Sequence, residues 1–112
     1  MSTRLPGAKY KKVFDRGRSV KGRLLVAWRL SQPDADRMAG VVVSKKTFHD
    51  AVDRNRAKRL MREAYRLLVK EGVAPLETEW VFIARRAIIE KRCADVMEEM
   101  KWVFSRDVSR RR

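Results

Sequence analysis

Residues 54–66 read Arg-Asn-Arg-Ala-Lys-Arg-Leu-Met-Arg-Glu-Ala-Tyr-Arg, six cations and a single acid, Glu63. Guanidinium and ammonium groups at this density do not perform acid–base chemistry; they hold phosphate oxygens. Placed on a helix at about 100° per residue, Asn55, Lys58, Arg59, Arg62 and Arg66 share one arc, and Ala57, Leu60, Met61, Ala64, Leu67 and Leu68 share its neighbour. Lys58/Arg62 and Arg62/Arg66 stand at i, i+4, where like charges repel by a few tenths of a kcal/mol per pair. A helix that stacks cations in this way offers them to a polyanion. Arg54 and Arg56 complete the basic set, and Lys45 and Lys46 precede it at the end of an apolar run.

A second group could do different chemistry. Tyr10 and Phe14 lie at i, i+4 beside Val13, and Trp28 sits in an alternating apolar stretch. Aromatic rings next to cations are the equipment for single-stranded or irregular RNA, whose bases stack on them. Spacing alone favours the simpler reading, a short helix packing both of its rings onto a sheet. No nucleophile–base–orienter set is visible, since the one histidine, His49, stands in a polar connection. No glycine-rich loop followed by Lys-Ser/Thr is present. One cysteine, Cys93, and one histidine do not make a zinc site. Cys93 falls on an apolar stripe and reads as core, and the absence of a disulfide fits a reducing cytoplasm.

These residues need elements to position them. A helix over residues 8–16 is stopped by Gly17. A strand follows over 24–31, then a turn at 32–36 (Gln-Pro-Asp-Ala-Asp), then a strand over 38–44, and the pair reads as an antiparallel hairpin. The basic helix runs from an N-cap at Asp50, with Thr47 as the competing cap, to Glu71 before Gly72. A short buried strand covers 80–84, and a last helix covers 88–106 with Glu90, Asp95, Glu98 and Glu99 on its outer face. Trp102 falls off the apolar stripe of that helix. The order implies an α/β two-layer sandwich with a small, mostly antiparallel sheet and about three helices. At 112 residues the chain makes one domain, with a basic arm at 1–7 and a basic tail at 107–112. The formal net charge of +14 favours nucleic acid, and segregation of acids onto the last helix makes the field directional. No run approaches the roughly 18 apolar residues of a membrane span.

The run from Ala51 to Arg66, through Arg54-Asn55-Arg56, resembles the signature helix of the protein subunit of bacterial ribonuclease P. Arg4-Leu5, Tyr10, Val13-Phe14 before Gly17, Val41-Val42-Val43-Ser44-Lys45-Lys46 and Ile83-Ala84-Arg85 resemble the family's flanking features. The likeness extends from about Arg4 to Phe104. Thr47-Phe48-His49-Asp50 departs from the family's usual Gly-Asn-like turn, and Tyr10 stands where Phe is more usual.

The resemblance implies that RNA carries the chemistry: Mg²⁺-dependent removal of the 5′ leader from precursor tRNA, with Mg²⁺ required by the holoenzyme and not held in a protein-borne site. The implied partners are the catalytic RNA and the leader, with neither a membrane nor an obligate protein partner. Tyr10, Phe14 and Trp28 would line a leader cleft bordered by Asn55, Lys58 and Arg62. Arg54, Arg56, Arg59 and Arg66 would face the catalytic RNA. The fold implied contains a left-handed βαβ crossover. The alternative is a non-enzymatic RNA chaperone or ribosomal-type binding protein, which shares every feature except the signature helix.

Overall fold

The computed structural model describes residues 4–31 and 37–110, the last four without their side chains. The expected turn at 32–36 lies outside the described residues, as do 1–3 and 111–112. The chain runs from a 3₁₀ turn (Gly7–Lys9) into α1 (Tyr10–Arg16), then β1 (Arg18–Lys21), β2 (Leu25–Ser31), β3 (Met38–Val42), α2 (Ala51–Lys70), β4 (Thr78–Ala84), a second 3₁₀ turn (Arg86–Glu90) and α3 (Cys93–Arg110). The strands form one sheet in the order β1-β2-β4-β3. By residue pattern and core grouping, α2 and α3 cover one face of the sheet and α1 covers the other.

The hairpin expected between the strands at 24–31 and 38–44 does not form. Instead β4 lies between them, antiparallel to β2 and parallel to β3. The reason is burial. Every residue of β4 except Ile83 is buried, so the strand needs cover on both faces and pairing on both edges. Chain neighbours pair in only about two-thirds of cases, and here the most apolar strand takes the centre. The β3–α2–β4 unit is therefore a parallel crossover.

Several further expectations change. The connection at 17–22 contains β1, which carries a single buried residue, Val20; a short, charged edge strand has little pattern to read. The last helix breaks at Lys91, whose extended backbone (φ −104°, ψ 164°) separates the second 3₁₀ turn from α3. Asp95 accepts a hydrogen bond from the Arg92 N–H at 3.0 Å, so this outer-face acid is half of a capping arrangement. Glu99 is also no solvated acid: it accepts from the N–H groups of Arg23, Leu24 and Leu25 at 2.8–3.1 Å and pins the β1–β2 connection to α3. The arm expected at 1–7 is docked from Arg4 onward. Leu5, 5% exposed, is buried, and its N–H donates to Ala39 O at 2.9 Å.

The basic helix ends where expected. Gly72 at φ 77° takes the left-handed position, and the Val73 N–H reaches back to Leu68 O at 3.0 Å. Asp50 is the N-cap residue, although its side chain makes no cap hydrogen bond. Cys93 is half-buried and packs against the main core; burial pushes its thiol pKa up, away from the reactive thiolate.

Candidate nucleic-acid interface

α2 anchors on the sheet through Ala57, Met61, Ala64, Tyr65 and Leu68. Leu60 is only partly buried, and Tyr65, which the apolar arc omits, is 1% exposed. This seating turns the basic arc toward edge strand β3. Between them runs a groove of about 690 Å³ lined by Arg4, Ala39, Val41, Asn55, Lys58, Arg59, Met61, Arg62, Glu63, Tyr65 and Arg66. Its one carboxylate is engaged: Arg66 donates to both oxygens of Glu63, at 2.6 and 3.2 Å. That pairing holds the Glu63 carboxyl below the usual carboxylate range. The lining therefore carries five cations and one acid, whose charge Arg66 offsets, a net positive balance suited to phosphate.

Arg54 and Arg56 do not line this groove. Arg54 Nη1 donates to Phe48 O at 2.9 Å and His49 O at 2.8 Å, closing the loop that leads into α2. Arg56 donates from Nε to Ile89 O at 3.1 Å and from Nη2 to Lys91 O at 3.2 Å, fastening α2 to the turn before α3. The Ile89 and Lys91 carbonyls stand at the end of the second 3₁₀ turn, where helical partners run out. Of the Arg-Asn-Arg triplet only Asn55 reaches the groove. Lys45 and Lys46 are exposed on the Ser44–Phe48 turn, which is closed by the Phe48 N–H donating to Ser44 O at 3.0 Å.

Across β3 lies the aromatic site. Val13 is fully buried with Leu5 and Val81, and Tyr10, Phe14 and Trp28 pack around them, each half-buried. Phe14 and Trp28 meet edge to face, centroids 5.6 Å apart and planes at 82°. The Tyr10 hydroxyl accepts from the Val41 N–H at 3.1 Å. Its ring lies so close on Gly40 that a Cβ there would come within 2.3 Å of Cζ, so glycine is what admits the ring. Lys9 ties α1 to the sheet through Glu79, which is buried, at 3.0 Å.

The sequence-expected set thus divides in two. Tyr10, Phe14 and Trp28 come together on the α1 face, while Asn55, Lys58, Arg59, Arg62 and Arg66 come together in the α2 groove, and no aromatic of the first set lines the second. Edge strand β3 is the wall between them. Three apolar residues outside the sequence-expected site set complete the aromatic face. Val26, Ile83 and Val42 stand in register across β2, β4 and β3, each half-buried. Their signal was available as the alternate set of each strand, but it becomes meaningful only with the strand order. Arg4 on the groove rim was likewise missed as a contact residue, because it comes from a segment read as irregular.

The family model described as Ribonuclease P matches residues 5–107. The chain belongs to the ribonuclease P protein family. It is 42% identical over 97 residues to the ribonuclease P protein component of an Exiguobacterium species, covering 87% of this chain and 82% of that one. To the Clostridioides difficile component it is 35% identical over 101 residues, covering 89% and 87%. Its fold is similar to that of the RNase P protein from Thermotoga maritima, with a TM-score of 0.76 and 25% identity over 92% of this chain and 96% of that one. The Staphylococcus aureus RNase P protein gives a TM-score of 0.73, also at 25% identity, over 94% of each chain. The chain is thus an RNA-binding protein subunit of ribonuclease P, the tRNA 5′-processing holoenzyme, and its partner is the RNase P RNA. The fold class expected from the sequence, a mixed α/β sandwich, agrees with these structures. Among the described residues no helix is long and apolar enough to cross a membrane.

Proposed function

We propose that the two surfaces on either side of β3 serve two RNAs. The α2 groove docks the catalytic RNA through Arg4, Lys58, Arg59 and Arg62, with Asn55 as a neutral hydrogen-bonding group among them. The α1 face, with Tyr10, Phe14 and Trp28 beside the Val26–Ile83–Val42 row, takes unpaired nucleotides of the 5′ leader of precursor tRNA. Arg54 and Arg56 hold α2 in place and add positive charge close to the docked RNA, and Lys45 and Lys46 extend the basic field beyond the groove.

The observation that supports this division most directly is the separation itself: cations line a groove that none of Tyr10, Phe14 and Trp28 reaches, while the rings gather on an apolar face. Backbone phosphates of a structured RNA call for charge, whereas splayed single-stranded bases call for stacking platforms. Mg²⁺ is required by the holoenzyme and, in this reading, is held by RNA. Several of the protein's acids are already engaged: Glu79 with Lys9, Glu63 with Arg66, and Asp95 and Glu99 with backbone N–H groups. The place of action is the cytoplasm, and no further protein partner is required.

Reconstitution with a bacterial ribonuclease P RNA at low Mg²⁺ tests the reading. The protein should raise cleavage of a leader-bearing precursor tRNA, and affinity for the catalytic RNA should fall with salt by about 0.7–0.9 log units per log unit for each phosphate neutralised. No gain in cleavage, or a salt-independent affinity, would refute it.

A further inference from the structure

Tyr65 lies in the wall of the cationic groove, and packing alone does not account for it. Its ring belongs to the core, tilted against Phe82 with centroids 5.6 Å apart, and the residue is 1% exposed. The hydroxyl is buried with no hydrogen-bond partner among the described residues. A phenol in this position forfeits the hydrogen bonds that water supplies in the unfolded chain, a loss that phenylalanine would avoid while filling the same space. Yet Tyr65 also lines the groove, beside Arg4, Lys58 and Arg62. Burial pushes its pKa up, with Arg37 acting in the opposite direction. The group therefore keeps its proton and remains a donor. A donor set among cations is matched by an anionic acceptor.

We infer that the Tyr65 hydroxyl is a hydrogen-bonding subsite of this groove, donating to a non-bridging phosphate oxygen of the catalytic RNA whose charge Arg4, Lys58 and Arg62 neutralise. The inference rests on the reading of the groove as the docking surface for that RNA. The hydroxyl is sealed in this conformation, so the contact requires the flexible lysine and arginine stems of the rim to part on arrival of the phosphate. The leader is the poorer candidate for this subsite, because Tyr10, Phe14 and Trp28 all lie on the other side of β3.

Tyr65→Phe deletes one oxygen and keeps the ring. Wild type and variant are titrated with a bacterial ribonuclease P RNA transcript across a salt series, and separately with a single-stranded leader oligonucleotide, with urea unfolding measured in parallel. The variant should bind the transcript about 10-fold more weakly, the effect of one hydrogen bond to a charged acceptor. Its salt slope should be unchanged, because no cation is lost, and its unfolding midpoint should be equal or higher. Leader binding should not change. Wild-type affinity in the variant would overturn the inference. So would a loss accompanied by a shallower salt slope or a lower midpoint, which marks a deformed groove, or a loss confined to the leader oligonucleotide. If the wild-type protein itself fails to bind the transcript, the docking reading fails first and this inference falls with it.

Discussion

On the side of the sheet covered by α2 and α3, Leu25, Met61, Leu68, Trp80, Phe82 and Met100 are all sealed from solvent. On the side covered by α1 the buried apolar cluster among the described residues is Leu5, Val13 and Val81, while Tyr10, Phe14, Trp28, Val26, Val42 and Ile83 each keep part of their surface exposed. The difference follows from helix length. α2 and α3 have 20 and 18 residues, but α1 has 7, a rod of about 10 Å laid on four strands spaced about 4.8 Å apart. The long helices make a core; the short one leaves an apolar, ring-bearing face uncovered. Burial is concentrated on one side, and a partly exposed apolar surface is left on the other.

Four substitutions test that contrast, from the largest effect to the smallest. Trp80→Ala, at the centre of the sealed side and stacked on Phe82, should cost about 3–5 kcal/mol in urea unfolding, a large part of the stability of a domain this size. A small loss would show that the α2/α3 core is not the dominant one. Glu99→Ala strands three backbone N–H groups and should cost about 2 kcal/mol, with affinity for the catalytic RNA intact once the protein is folded. A matching loss of affinity would tie α3 to the RNA surface.

Phe14→Ala removes half of the edge-to-face pair. Leader affinity should fall by about 1–2 kcal/mol, roughly tenfold, the scale of one base–aromatic stack. Mature-tRNA affinity should barely move, and equal losses for the two RNAs would return Phe14 to a packing role. Arg62→Ala should change stability by less than about 0.5 kcal/mol while lowering the salt slope for the catalytic RNA by about 0.7–0.9. Unfolding of that variant would mean that the groove rim is structural after all.

Much of this arrangement was legible in the residues. The period of residues 51–70 is strong enough to define α2, its apolar arc and its basic arc, because a surface helix exposes its pattern directly. The glycine stop at residue 72 and the position of Asp50 follow from backbone chemistry that is local. Tyr10 and Phe14 could be paired by spacing, and Trp28 joined them through strand alternation. The failures are equally particular. β1 has one buried residue in four, too little signal for a strand. Glu99 looks like any solvated acid until the backbone N–H groups of the β1–β2 connection are brought to it, and Asp95 does so until the start of α3 is placed next to Arg92.

Arg54 and Arg56 show the same limit in the signature itself. By type they are phosphate ligands, yet both hold backbone carbonyls, and no spacing rule distinguishes an arginine that clamps a loop from one that waits for RNA. What the sequence by itself determined is therefore what depends on neighbours in the chain: α2 with its N-cap position and glycine stop, the density of positive charge and the family. What only the tertiary structure decided is what depends on distant partners. The insertion of β4 between β2 and β3 made β3 an edge strand, and that edge divides the cationic groove from the aromatic face. Strand order is set by which segment must bury both of its faces, a competition among all strands that none of them records alone.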